Sequence, residues 1–269
     1  MDEMDPLKAA GLIVSERFPS AEAAFLAGSV LTAKRTATSD LDILVFLGED
    51  DQAFRETLRL HGWLTELFVE TPWSFHYFVN LETRARRSPL LQMCAHGAIL
   101  LSLDGAAERY QNESRHMLAK GPPPITKDEL DQRRYELTNL LDDFIGSISS
   151  EELTYVTGQL LTKSSELALL SGSQWLGAGK WLARRLQQFN PDLLIRLDGA
   201  VRSVVQDNDR APMQSTVREV LDTVGGPLSE GYRNVAKPAH KPTKFNEPAR
   251  PSDVSEVDRR RSAPTADAS

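Results

Sequence analysis

The stretch AGSVLTAKRTATSDLDILVFL, Ala27 to Leu47, holds two aspartates one residue apart, Asp40 and Asp42, where an apolar run begins. Side chains alternate along a strand, so both carboxylates point to one face and Leu41, Ile43 and Val45 to the other. Two carboxylates so close repel, and neither readily loses its water. A divalent cation removes the conflict. Mg²⁺ takes carboxylate oxygen, keeps several waters and is usually completed by substrate phosphates; Mn²⁺ is the alternative. The pair therefore suits a metal–nucleotide complex and suits a bare core poorly. Upstream, Gly28-Ser29 ends a short apolar run. A glycine there lets backbone N–H groups approach a phosphate, and a serine hydroxyl donates to one. Lys34, Arg35 and Ser39, with Thr32, Thr36 and Thr38, make the intervening loop polar and cationic, as an anionic ligand requires.

These residues need elements to position them, and residues 1–120 alternate between helix-like and strand-like patterns. Asp5-Pro6 reads as an N-cap and first helical residue, opening a helix to about Phe18. AAFLAGS is a strand and turn, and LDILVFL a buried strand. DQAFRETLRLHG reads as a helix stopped by Gly62. WLTELFVET is the next strand, stopped by Pro72, and a helix covers much of Trp73 to Ala95 with a break at Pro89. GAILLSLDG is a fourth strand. The expectation is an α+β domain, layered as in α/β proteins around a small mixed sheet.

KGPPPIT, Lys120 to Thr126, reads as a linker, and Thr126 with Glu129 fits a capping box. Residues 126–225 then repeat apolar positions at helical spacing and predict a bundle of four or five helices. Residues 226–269 are rich in Pro, Ser and charge with few aromatics, and predict a disordered tail. The 269 residues carry a formal net charge of -7, which argues against nucleic-acid backbone as the main partner. One cysteine, Cys94, permits no internal disulfide, which fits a reducing, cytoplasmic setting. No apolar run reaches the roughly 20 residues that span a bilayer, so no membrane partner is expected.

GSVLTAKRTATSDLDILV resembles, in residue type, order and spacing, the signature of the DNA polymerase beta-type nucleotidyltransferase superfamily. The order of elements also looks like its small bacterial members, the aminoglycoside and minimal nucleotidyltransferases. The resemblance implies a nucleotidyltransferase domain over 1–120, a helical domain over 126–225, and Mg²⁺ held by Asp40 and Asp42. It implies a third carboxylate on a neighbouring strand that joins the metal site and serves as base. WLTELFVET offers Glu66 and Glu70 on one face; Glu66, inside the apolar run, is favoured, and Glu70 stays open. The nucleotide-binding set expected is Gly28, Ser29, Lys34, Arg35, Ser39 and Lys180.

Lys180 lies in GAGKWLARRL, which fails as a phosphate loop: Gln174 stands where the first glycine belongs and Trp181 where Ser or Thr would bind magnesium. At a helix start, it is still placed to reach a phosphate across a cleft between domains. Arg84, Arg86 and Arg87 are a second candidate for triphosphate, with a solvated helix face as the plain alternative. The expected partners are a nucleoside triphosphate, ATP foremost, and a hydroxyl acceptor the sequence does not specify. A non-catalytic, antitoxin-like binding protein on the same fold is the competing reading.

Overall fold

A computed structural model describes residues 4–33 and 35–235, and the residues through Tyr232 belong to one compact unit. It is an α+β structure: a five-stranded mixed sheet with helices on both faces, followed by a run of helices. In chain order the first elements are α1 (Pro6–Arg17), β1 (Ala23–Ala27), a single 3₁₀ turn at Ser29–Leu31, β2 (Leu41–Phe46), β3 (Phe54–Leu60) and β4 (Trp63–Glu70). There follow α2 (Pro72–Arg84), α3 (Pro89–His96), β5 (Ala98–Ser102) and α4 (Ala106–Lys120). The second half holds α5 (Lys127–Gly146), α6 (Ser150–Ser171), α7 (Lys180–Phe189), α8 (Pro191–Asp207) and α9 (Ala211–Asp222). Among the described residues no helix is long and apolar enough to cross a membrane.

The sheet order is β3-β4-β2-β1-β5, with β2 and β4 parallel and the other neighbours antiparallel. Alternation along β2 divides two cores. Leu41, Ile43 and Val45 pack with Ile13 and Val14 of α1, whereas Leu44 and Phe46 pack with Phe75, Val79, Leu91 and Cys94 of α2 and α3. A third core belongs to the helical half and joins Leu137, Phe144, Leu160, Leu186, Leu197 and Val217.

Two sequence expectations change. The stretch read as a helix before Gly62 is strand β3. FRETLRL alternates, with Arg55, Thr57 and Arg59 on one face and Glu56, Leu58 and Leu60 on the other, and His61 (φ 47°) and Gly62 (φ 90°) make the tight left-handed turn that folds it back on β4. The capping box at the start of α5 forms by half: Thr126 accepts from the Glu129 N–H at 3.2 Å, but the Glu129 carboxylate is taken by Arg86. The first residues of the expected tail are tied to α5. Arg134 donates to the carbonyls of Gly225 (2.6 Å) and Gly226 (3.0 Å), Leu228 N donates to Thr138, and Tyr232 stacks on Tyr135. Residues 236–269 of that tail lie outside the described residues.

Candidate active site

The site is built where β1 ends beside the start of β2. Gly28 leaves β1 with φ 90° and ψ -174°, a conformation that glycine adopts without penalty. A Cβ at this position would lie 3.1 Å from Asp42 Cγ and nearer still to its Oδ2, so the backbone and the carboxylate touch only because no side chain is present. The antiparallel register pairs Ala27 with Asp42 and fixes that contact. The loop that follows folds back on itself: Ser29 Oγ lies 3.0 Å from Ser39 Oγ, and the Thr36 N–H donates to Ser39 Oγ at 2.9 Å. Two hydroxyls share one hydrogen bond, so one of their protons remains to donate elsewhere. Lys34 lies outside the described residues. Arg35 lays its guanidinium 4.8 Å over the ring of Trp63.

On the other side of β2, the parallel register sets Asp42 directly beside Glu66. Asp40 stands just before the strand, so three carboxylates crowd one end of the sheet face. The Asp42 carboxyl is pushed up to about 6, first by burial, then by the charges of Asp40 and Glu66; Lys180 and Arg55 pull the other way. Glu66 Oε2 accepts from Arg55 Nη2 at 2.7 Å, and that guanidinium lies 4.4 Å over Phe68. The sequence does not single out Arg55, because its segment reads there as a helix. The signal that would have found it is the alternation of FRETLRL, which puts Arg55 on the same sheet face as Glu66.

Lys180 enters from the helical half. It begins α7, and its charge acts on Asp42. The loop before α7 is fixed to the first half by Arg86, whose carbonyl accepts from Leu176 N at 2.8 Å. The Arg86 side chain is a clasp. Nε and Nη2 donate to the carbonyls of Pro123 (2.9 Å) and Pro124 (3.1 Å), while Nη1 and Nη2 fork onto Glu129 at 2.8 and 2.7 Å. These bonds occupy the guanidinium and leave it 11% exposed, so its sequence reading as a triphosphate ligand gives way to a structural role.

Glu70 sits apart. It lies at the far end of β4, opposite Phe46, and its buried carboxylate accepts the Ser74 hydroxyl at the start of α2. Burial raises its pKa and the Ser74 bond offsets part of that rise. The structure thus brings together Gly28, Ser29, Ser39, Asp40, Asp42, Glu66 and Lys180, and leaves Glu70 out. Among the described residues no three His, Cys, Asp or Glu side chains gather into a metal-holding group. Of the expected triad of Asp40, Asp42 and Glu66, Glu66 is paired with Arg55.

No protein-family model and no curated protein matches the chain. Among solved structures, it is similar to a nucleotidyltransferase-like protein from Exiguobacterium sibiricum 255-15. The alignment covers 81% of this chain and 74% of that one, with a TM-score of 0.42 and 11% identity.

Proposed function

We propose that the protein is a Mg²⁺-dependent nucleotidyltransferase. It moves a nucleoside monophosphate from a nucleoside triphosphate, ATP foremost, to the hydroxyl of an acceptor. The acceptor oxygen bonds to the α-phosphorus, the bond to the β-phosphate oxygen breaks, pyrophosphate leaves, and the hydroxyl proton passes to a base. The observation that carries this reading is the Asp42 carboxylate, packed on the bare Gly28 backbone, in register with Glu66 and acted on by Lys180 from the helical half.

The residues fit the cation. Asp42 stands in register with Glu66 and two residues from Asp40, a grouping of negative charge that a cation relieves. Asp40 and Asp42 would hold it, since Mg²⁺ is commonly bound by one or two carboxylates with water and phosphate completing its shell. When bound, it neutralises charge on the triphosphate and favours in-line displacement. The chain's own groups do the rest. The Gly28 turn and the spare hydroxyl proton of Ser29 and Ser39 bind phosphate oxygen. Lys180 draws the triphosphate toward the helical half, and Glu66, oriented by Arg55, accepts the acceptor proton.

The test incubates the full chain with α-labelled nucleoside triphosphates, Mg²⁺ and a library of hydroxyl acceptors. Label moving covalently to an acceptor with stoichiometric pyrophosphate supports the reading. Transfer that persists in Asp42→Asn overturns it.

A further inference from the structure

Helix α2 presents an aromatic face away from the core. Trp73 is 65% exposed, Tyr77 46% and Leu81 44%, and their spacing of four makes one stripe; Phe78, 41% exposed, flanks it. The Trp73 and Tyr77 rings stack at 5.1 Å and 11°, and Phe78 meets Tyr77 edge-on at 5.3 Å. The residues that α2 gives to the core are Ser74, Phe75 and Val79, so the stripe is not there to pack the sheet. Isolated exposed apolar residues are ordinary, whereas a contiguous aromatic stripe marks an interaction surface.

The charge beside the stripe says what it fits. A shallow cleft of about 460 Å³ is lined by Glu49, Pro72, Trp73, His76, Tyr77 and Asn80. His76 is already committed: Nδ1 lies 2.7 Å from the Pro72 carbonyl and Nε2 3.0 Å from Glu113 Oε1. Glu49 is exposed, and its charge acts on His76 across the cleft. Ring faces beside an exposed carboxylate are the chemistry that receives a cation. This end of α2 follows the carboxyl end of β4, whereas Asp42 and Glu66 stand near the start of the parallel pair.

We propose that this face docks a basic, amphipathic segment of a protein partner. An arginine or lysine lies over the Trp73–Tyr77 stack with its charge toward Glu49, and an apolar residue covers Leu81 and Phe78. The site is independent of the transfer reaction, so a protein that transfers no nucleotide would still bind there.

The test titrates the full chain, by calorimetry at physiological salt, with a synthetic helical peptide of arginine, leucine and alanine. Its twin carries glutamate in place of arginine. The arginine peptide binds saturably and its twin does not. Affinity falls about tenfold or more in Trp73→Ala, the scale of an aromatic anchor, and falls in Glu49→Gln. It is unchanged in Asp142→Asn, which removes an exposed carboxylate from the distant end of α5. All three positions are exposed, and thermal melting verifies that each variant folds. Four results overturn the proposal: no binding, equal binding to Trp73→Ala, binding of the glutamate twin, or a loss of the same size in Asp142→Asn. Self-association of the wild type that Trp73→Ala abolishes, without peptide binding, assigns the face to a second copy instead.

Discussion

The sheet face beneath α2 and α3 begins at Asp42 and Glu66 and closes at Glu70, and its two ends treat their carboxylates differently. At the closing end, each acid is answered by its own fold. Glu70 accepts the Ser74 hydroxyl, and Glu82 of α2 accepts the Leu90 N–H at the start of α3 at 3.1 Å. Burial and the charge of Glu70 still push Glu82 up to about 7, although the Leu90 bond opposes them. At the opening end, Asp42 is surrounded by groups from separate elements: two other carboxylates, Lys180 from α7 and Arg55 from β3. A carboxylate satisfied by an adjacent hydroxyl or backbone N–H ties elements together. One set among like charges and distant cations is arranged for something that arrives from outside.

The strongest way to break this contrast is at Asp42. Asp42→Asn is expected to lower single-turnover transfer by roughly 10³-fold, the upper scale for losing one electrostatic stabiliser. Glu82→Gln, at the other end, is expected to leave transfer within a few-fold. Next comes the proton acceptor: Glu66→Gln is expected to cost roughly 10²-fold in turnover with triphosphate affinity nearly unchanged, the usual scale for a positioned base. Glu70→Gln alters melting more than turnover, and the opposite result moves the base along the strand. Smaller again, Lys180→Met is expected to weaken triphosphate binding about tenfold, as for loss of one charged hydrogen bond. Binding isotherms with and without Mg²⁺ check it.

Stability against pH sharpens the same comparison. The folded-state pKa of Asp42 lies above its ordinary 3.8, so the folded protein holds the proton after the unfolded chain has released it. The penalty for ionising Asp42 therefore grows as pH rises from about 4 to about 6 and is fully present above that range. Asp42→Asn removes this loss, so the variant is expected to melt above the wild type at pH 7 and to match it near pH 4. Thermal denaturation across that range reads the difference. A variant that melts below the wild type at pH 7 would mean that the aspartate is satisfied by the fold alone.

Much of this opening end was legible in the sequence, because its chemistry is local. Gly28-Ser29 and the Asp40–Asp42 spacing lie within one turn and one strand, and the period of two puts both aspartates on the face opposite Leu41, Ile43 and Val45. The break at Pro89 and the cap at Asp5 were legible for the same reason: each depends on a few neighbouring residues, and Asp5 indeed accepts from Lys8 N. What stayed hidden depends on partners distant in the chain. Arg55 reaches Glu66 only once the His61-Gly62 turn makes a hairpin. Glu129 abandons its expected cap because Arg86, 43 residues earlier, offers a bidentate guanidinium. Helix α4 was not predicted either; its sequence is polar, and few of its residues are buried.

The most direct test of the central claim is calorimetric titration of wild type and Asp42→Asn with a non-hydrolysable ATP analogue, with Mg²⁺ present and absent. The account predicts saturable wild-type binding that requires Mg²⁺, and at least about tenfold weaker binding in the variant, as expected when one charged partner of the metal–phosphate complex is lost. Equal, Mg²⁺-independent binding to both proteins, or binding to neither, would contradict it.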